Sequence, residues 1–412
     1  MPDQLTYLDH AATTPLRPEA RAAMLPWLGE RFGNPSGAHA VARAARQVVD
    51  EARDVVAAVV GCRPGEVVFT GGGTEADNLA VRGVHAARPG TVLCSAVEHD
   101  AVLRAVDHVG GRTVPVDGGG VVDLDALAEL AGASSDVTLV SVMLANNEVG
   151  TVQPIEAVAE VVRRRAPSAS VHVDAVQAAA WLSLPERLAG AELVSLSSHK
   201  VGGPQGVGAL VVRQGTPLRP LILGGGQERE LRSGTHDVAG IVGFAAALSA
   251  VLAQRDEAVV RVRALRRRLA CGLRGALPDI VETGADASRP TGAATAADRQ
   301  SAGPASSTSH PPDTAVGDDG RLPGTLHVCL PGVESEALLF LLDEAGVCAS
   351  AASACASGAQ QASHVLAAMG VPTELGRGAL RLSLGWSSTD ADVDRALAVV
   401  PTAVARLQGV AA

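Results

Sequence analysis

Lys200 ends the run Ser195-Leu-Ser-Ser-His-Lys200 and is followed at once by the turn Val201-Gly-Gly-Pro-Gln-Gly206. A lysine ammonium is inert in water, but partial desolvation or neighbouring charge lowers its pKa and makes the amine a nucleophile able to form a Schiff base. Ser197, Ser198 and His199 stand beside it with groups that can hydrogen-bond a phosphate. A ligand carrying both an aldehyde and a phosphate suits this set, and pyridoxal phosphate is such a ligand. Gly71-Gly-Gly-Thr-Glu-Ala-Asp-Asn78 joins a strand pattern to a helix pattern. Its glycines let the backbone approach an anion, the helix N-terminus offers free N–H groups, and Thr74 adds a hydroxyl. The run has neither the Gly-Lys-Ser/Thr of a nucleotide loop nor the GxGxxG spacing of a dinucleotide fold. Val171-His-Val-Asp-Ala-Val-Gln177 ends a strand with a carboxylate. Asp174 held against a pyridine nitrogen would keep that nitrogen protonated, and Gln177 could hydrogen-bond the ring's phenolic oxygen.

Three further positions carry chemistry. His99, in Ser95-Ala-Val-Glu-His99, follows another strand, where an imidazole could lie on the ring and exchange protons. A helix-start histidine is the alternative there, as a helix cap is for Asp174. Cys355 closes Cys348-Ala-Ser-Ala-Ala-Ser-Ala-Cys355, a run of small residues with no large aliphatic, and so sits on a stretch where a thiolate can move and attack. Cys348 is read as a buried small hydrophobe, and His108 and His172 as structural. Arg381 lies inside the apolar strand pattern Gly378-Ala-Leu-Arg-Leu-Ser-Leu-Gly385 and needs an anion. Its partner is either a substrate carboxylate, which a guanidinium grips bidentately, or an internal acid.

The elements that must position these residues alternate. Val41, Ala45, Val48, Ala52, Val55 and Val59 repeat at helical spacing within 36–60, and β-branched runs at 66–70, 91–95, 112–116, 137–143, 170–174, 193–197 and 207–212 read as strands. Strands separated by helices predict an α/β fold, a mainly parallel sheet covered on both faces, with its ligand beyond the carboxyl ends of the strands. A long helix over 238–276 leads to a smaller α+β domain with a strand at 322–330, a helix at 335–345 and a strand at 378–384. We assign residues 15–255 to a large cofactor-binding domain, and 1–14 with 256–412 to a small domain carrying the cysteine loop. Within the small domain, 283–320 holds Val316 as its single large aliphatic residue and is expected to be a disordered insertion.

Composition narrows the class. The 412 residues are 47% hydrophobic but 2% aromatic, so the core must be built from Ala, Val and Leu. The net charge of −10 lacks basic clusters beyond 163–165 and 266–268, which disfavours direct nucleic-acid binding. The apolar stretch over 241–253, interrupted only by a serine, is shorter than the roughly 20 residues of a membrane span, so no membrane partner is expected. The N-terminus has no secretory pattern, and the six cysteines form no CxxC pair. A reducing cytoplasm is the expected compartment, with no resident metal.

The ordered set Tyr7-Leu-Asp-His-Ala-Ala-Thr-Thr-Pro15, Gly33-Asn-Pro-Ser36, Phe69 to Asn78, Glu98-His99, Asn146-Asn-Glu-Val-Gly150, Val173 to Gln177, Ser197 to Lys200, Arg232-Ser-Gly-Thr235 and Ser353-Ala-Cys355 resembles the cysteine desulfurases of the class V aminotransferase family. The resemblance implies the type I pyridoxal-phosphate transferase fold and conversion of L-cysteine to L-alanine with a persulfide on Cys355. It implies that Lys200 carries the cofactor and removes the α-proton, and that Asp174, Gln177 and His99 contact the ring. Gly73, Thr74, Ser197 and His199 would hold the phosphate, Asn147 would contact cofactor or substrate, and Asn34 and Arg381 would bind the substrate carboxylate. Thr235 would act from the partner subunit of a homodimer. Cys355 would pass sulfur to an acceptor protein for iron–sulfur cluster assembly or tRNA thiolation, and could be a transient iron–sulfur ligand. Ser350-Ala-Ala-Ser-Ala-Cys355 departs from the family pattern by an alanine in place of glycine. An aminotransferase or a selenocysteine lyase of the same family is the alternative activity.

Overall fold

The computed structural model describes residues 5–285, 320–351 and 363–409. The chain runs β1 (Thr6–Tyr7), α1 (Pro18–Met24), α2 (Ala40–Val60), β2 (Val67–Thr70), α3 (Gly73–Ala87), β3 (Thr91–Ser95), α4 (Asp100–His108) and β4 (Arg112–Val114). It continues through α5 (Leu124–Gly132), β5 (Val137–Ser141), α6 (Ile155–Arg165), β6 (Ser170–Asp174), α7 (Leu184–Arg187), β7 (Leu193–Ser197) and β8 (Gly208–Val212). The remainder is α8 (Val238–Ala276), β9 (Val281–Glu282), β10 (Thr325–Cys329), α9 (Ser335–Glu344), β11 (Val347–Cys348), α10 (His364–Ala368), α11 (Thr373–Gly376), β12 (Ala379–Ser383) and α12 (Asp390–Leu407).

Seven strands form one sheet in the order β2-β8-β7-β6-β5-β3-β4. Pairings from β4 through β7 are parallel, whereas β8 is antiparallel to both β7 and β2. The reversal is forced by length, because the connection from Ser197 to Gly208 is too short for the crossover that a parallel partner requires. Alternating side chains cover both faces. Val140, Val173 and Leu196 pack with Val49 and Val56 of α2 and Val158 and Val162 of α6. Val92, Leu139 and Leu210 pack with Leu79 and Val84 of α3 and Val102 and Val106 of α4. Phe69 and Phe244 are the buried phenylalanines among the described residues, so this aliphatic core follows the composition.

The long helix α8 links two cores. Ile241, Phe244 and Val251 belong to the core of the large sheet, and Val262, Leu269 and Leu273 pack with Leu326, Leu380, Val393 and Val400 around the three-stranded sheet β12-β10-β9. The assigned boundary at 255/256 therefore lies inside one unbroken helix. By length and composition α8 could cross a membrane even though its uninterrupted apolar run is short, and most of its apolar window is buried within the protein. β1 pairs in parallel with β11, which ties the N-terminal residues to the smaller unit.

Two expectations need correction. The segment 283–320 is not uniformly outside the fold: Thr283 is buried, its N–H donating to the His327 carbonyl at 3.1 Å and its hydroxyl lying 2.6 Å from His327 Nδ1, while Gly320 accepts from the Val152 N–H at 2.9 Å. Backbone pairing needs no large side chain, so composition could not locate these edges. Residues 286–319 lie outside the described residues. Cys348 is only partly buried, because the two-residue strand that carries it is covered on its edge by β1 alone.

Candidate active site

The carboxyl ends of β2, β3, β6 and β7 deliver the chemical residues to one side of the sheet. Asp174 at the end of β6 is in register with Ser195 of β7. Gly73, first residue of α3, fits so closely against this edge that a Cβ there would come within 2.9 Å of Val176 Cγ2 and 3.4 Å of Ser197 Cβ. Gly72 has φ of 142°, and a Cβ on Gly208 would lie 2.6 Å from the Gly72 carbonyl carbon. The turn thus requires glycine at both places. No side chain caps α3, and Thr74 is exposed with no hydrogen bond to its hydroxyl among the described residues. Free N–H groups at this helix start face the Ser197 edge and make a phosphate cradle.

Ser197 and Ser198 part company. Neighbouring residues at a strand end point to opposite faces, so Ser197 meets Gly73, whereas the Ser198 hydroxyl is buried beneath Gly203, where an added Cβ would come within 2.2 Å of it. Ser197 can reach the cradle and Ser198 cannot. His199 Nδ1 lies 3.1 Å from Thr13 Oγ1, and burial pushes its pKa down to about 4.

Lys200 lies in a 3₁₀ turn after β7, under the N-terminal strap. Its Nζ donates to the carbonyls of Ala11 at 2.5 Å and Ala12 at 2.7 Å, and Gln177 Nε2 donates to the same Ala11 carbonyl at 2.8 Å. Burial, reinforced by the Arg381 charge, lowers the Lys200 pKa to about 8 against the pull of Asp9 and Asp174. One oxygen of Asp174 accepts from the Val176 N–H at 2.8 Å, and the other makes no hydrogen bond among the described residues. Burial pushes this carboxyl up, opposed by the Val176 N–H and by His99 and Lys200. His99 caps α4, its Nδ1 accepting from the Ala101 N–H at 3.1 Å, which leaves the proton of a neutral imidazole on Nε2.

Arg381 answers to both alternatives. Its Nη2 donates to Asp9 Oδ1 at 2.7 Å and its Nη1 to the Asn147 carbonyl at 2.9 Å, while its Nε–H is buried without a partner. The internal acid therefore orients the guanidinium and leaves it unsaturated. Asn34 is exposed, with its side-chain oxygen held by the Ser36 N–H at 3.0 Å. Thr235 is exposed, and Cys355 lies outside the described residues.

A buried polar layer under Asp174 had no assigned role. His172 sits between the hydroxyls of Ser141 at 2.8 Å and Ser195 at 2.9 Å, and burial lowers its pKa to about 3. Its neutral ring makes the 3.7 Å approach to Asp77 Oδ1 a contact rather than an ion pair. Burial also pushes the Asp77 and Glu98 carboxyls well up. Asp77 was legible in part, since its spacing to Val81 and Val84 puts it on the buried face of α3. Asp9 offered no such signal.

These residues fit pyridoxal phosphate: a lysine of lowered pKa, a buried carboxylate with one free oxygen and an uncapped helix start that only glycine can form. We expect uptake of pyridoxal phosphate by the cofactor-free protein to quicken with pH as the Lys200 ammonium deprotonates, and to level off above pH 8. Stopped-flow absorbance checks this; a rate still climbing steeply past pH 9.5 or so, as for an ordinary lysine, would contradict the desolvated setting of Lys200.

Residues 6–291 match the family described as Aminotransferase class-V. An IscS-like cysteine desulfurase from Mycobacterium tuberculosis is 42% identical over 414 residues, covering 98% of this chain and 97% of that one. A solved NifS-like protein superposes with a TM-score of 0.84 at 33% identity, covering 98% of this chain and all of that one. A structure described as SspA in complex with cysteine matches with a TM-score of 0.70 at 28% identity, over 92% of this chain and 98% of that one. The strand-end lysine and carboxylate, the glycine cradle and these likenesses agree, and the chain belongs to the class V aminotransferase family, among its pyridoxal-phosphate-dependent cysteine desulfurases.

Proposed function

We propose that the protein takes L-cysteine, releases L-alanine and holds the sulfur as a persulfide on Cys355 until an acceptor protein receives it. The observation that carries the substrate-binding part is the unsaturated Arg381, fixed by Asp9 and close enough to Lys200 to lower its pKa. Arg381 binds the α-carboxylate, assisted by Asn34, and so brings the α-carbon toward the Lys200 amine, which takes the α-proton. Bound pyridoxal phosphate supplies the electron sink for this step. Gly73, Thr74, Ser197 and His199 hold its phosphate, Asp174 its ring nitrogen, Gln177 its phenolic oxygen, and Asn147 borders ring and substrate. Cys355 as thiolate forms a bond to the substrate sulfur as the carbon–sulfur bond breaks. The electron pair stays with carbon, which is protonated to give alanine. His99 Nε2 carries protons at this face.

The same reading includes a homodimer in a reducing cytoplasm. Leu25, Leu28 and Phe32, and separately Ile222 and Leu223, are large apolar side chains left exposed, as a surface awaiting a second copy would be. Thr235 follows the second group and would complete the phosphate site of the partner. The described cysteines are all free. The likeness to an IscS-like protein favours an iron–sulfur scaffold as acceptor, with a tRNA-thiolation protein as the other candidate. Mass spectrometry after a single turnover with L-cysteine, without reductant, is expected to find one added sulfur on the peptide containing Cys355. Added sulfur on another cysteine, or none while alanine forms, would sink this assignment.

A further inference from the structure

Glu228, Arg229 and Glu230 are three successive non-glycine residues with left-handed backbone, φ 47°, 55° and 65°. Each sets its own Cβ against the chain, so such a turn persists only where its surroundings hold it. Glu228 supplies the hold. Its Oε1 accepts from Arg53 Nη2 and His236 Nε2, both at 2.7 Å, and its Oε2 accepts from Arg53 Nη1 at 2.7 Å and the Phe69 N–H at 2.8 Å. Arg53 also stacks over the Phe69 ring at 4.7 Å and donates to the Val67 carbonyl at 2.7 Å. Burial opposes ionisation of Glu228, yet the Arg53 and His236 hydrogen bonds outweigh it and bring the pKa to about 2. The carboxylate is charged across the whole working range, with every contact made inside the chain.

The far side of the segment is pinned as well. Arg232 Nε donates to Glu75 Oε1 at 2.8 Å, the Gly234 N–H to Gln227 Oε1 at 2.9 Å and the Ser233 N–H to the Ile222 carbonyl at 3.2 Å. Between these ties Thr235 is exposed, and its hydroxyl makes no hydrogen bond among the described residues. A strained turn anchored on one side and tied on the other thus presents a single free hydroxyl outward, beside the exposed Ile222 and Leu223.

We propose that Glu228 is a positioning residue for the active site of the second subunit: it fixes the turn so that Thr235 meets the phosphate bound there. This rests on the homodimer reading above. Glu228 also touches Phe69, just before its own cradle, so an effect within the same subunit is the rival. Hybrids separate the two. Glu228→Gln subunits, differently tagged, are co-purified with Lys200→Ala subunits, and pyridoxal phosphate affinity is read from the visible band of lysine-linked cofactor, which forms only in the Lys200-bearing site. That site has its own cradle from the Glu228→Gln chain and Thr235 from a chain with intact Glu228.

The Glu228→Gln homodimer should bind the cofactor about tenfold or more weakly, and the hybrid should regain wild-type affinity. A hybrid as weak as the homodimer, or a homodimer with unchanged affinity, overturns the proposal. If Glu228→Gln fails to fold, His236→Leu removes one of the four hydrogen bonds and is read in the same hybrid, with the same two results deciding. A Thr235→Ala and Lys200→Ala hybrid tests the underlying reading separately. Failure of rescue there removes the shared site itself, whatever Glu228 does.

Discussion

Replacing Lys200 by alanine is expected to lower kcat for alanine formation by about 10³-fold or more, since the amine that moves the α-proton is lost together with the covalent hold on the cofactor. The local cost to folding is confined to the strap, where the Ala11 and Ala12 carbonyls lose a donor. Far-ultraviolet circular dichroism should therefore be unchanged, while the visible absorbance of lysine-linked cofactor disappears. Lys200→Arg discriminates between charge and chemistry. Its guanidinium restores a cation and donors to the strap but is not a nucleophile, because it stays protonated. Both variants should fall together. If Lys200→Arg keeps more than about a tenth of wild-type kcat, an electrostatic role outranks the nucleophilic one.

The strand ends were legible because each chemical residue closes a β-branched run and precedes a turn. Sequence spacing alone brought Asp174, Lys200 and the Gly71 turn to one edge, where register and close packing now place them. What covers Lys200 was not legible in chemical terms. The strap binds it through main-chain carbonyls of two alanines, and any residue type has that carbonyl. Arg381 illustrates the other limit. Its need for an anion follows from an apolar strand, but Asp9, which meets it, lies at the opposite end of the chain and is brought there by a bridge to Ser383 of the same strand. Ser198 shows a third: three neighbouring polar residues looked equivalent until the backbone turned one of them beneath Gly203. The nucleophilic role of Cys355 rests on its small neighbours and family likeness, and the residue lies outside the described residues.

Asp174→Asn is the second substitution with a large expected effect. Asparagine preserves volume and can still accept from the Val176 N–H, so structure and cofactor uptake should survive. What it removes is a negative charge at a place where little else supplies one. Beneath Asp174, His172 is neutral at any pH above about 3, and burial drives Asp77 and Glu98 toward their protonated forms. Burial pushes Asp174 up as well, but there His99 and Lys200 oppose the push, as no cation does at Asp77 or Glu98, so Asp174 is the carboxyl best placed to stabilise a protonated ring nitrogen. Loss of one such preorganised partner should lower kcat on the order of 10²–10³-fold, with KM for L-cysteine less affected because Arg381 is untouched. Asp77→Asn provides the contrast, exchanging an acid that burial pushes toward its neutral form for a neutral amide, and should leave kcat within about tenfold of wild type. Steady-state alanine formation decides the matter. An Asp174→Asn enzyme with near wild-type kcat, or an Asp77→Asn enzyme as impaired as Asp174→Asn, would show that the charge supporting the reaction resides deeper than Asp174.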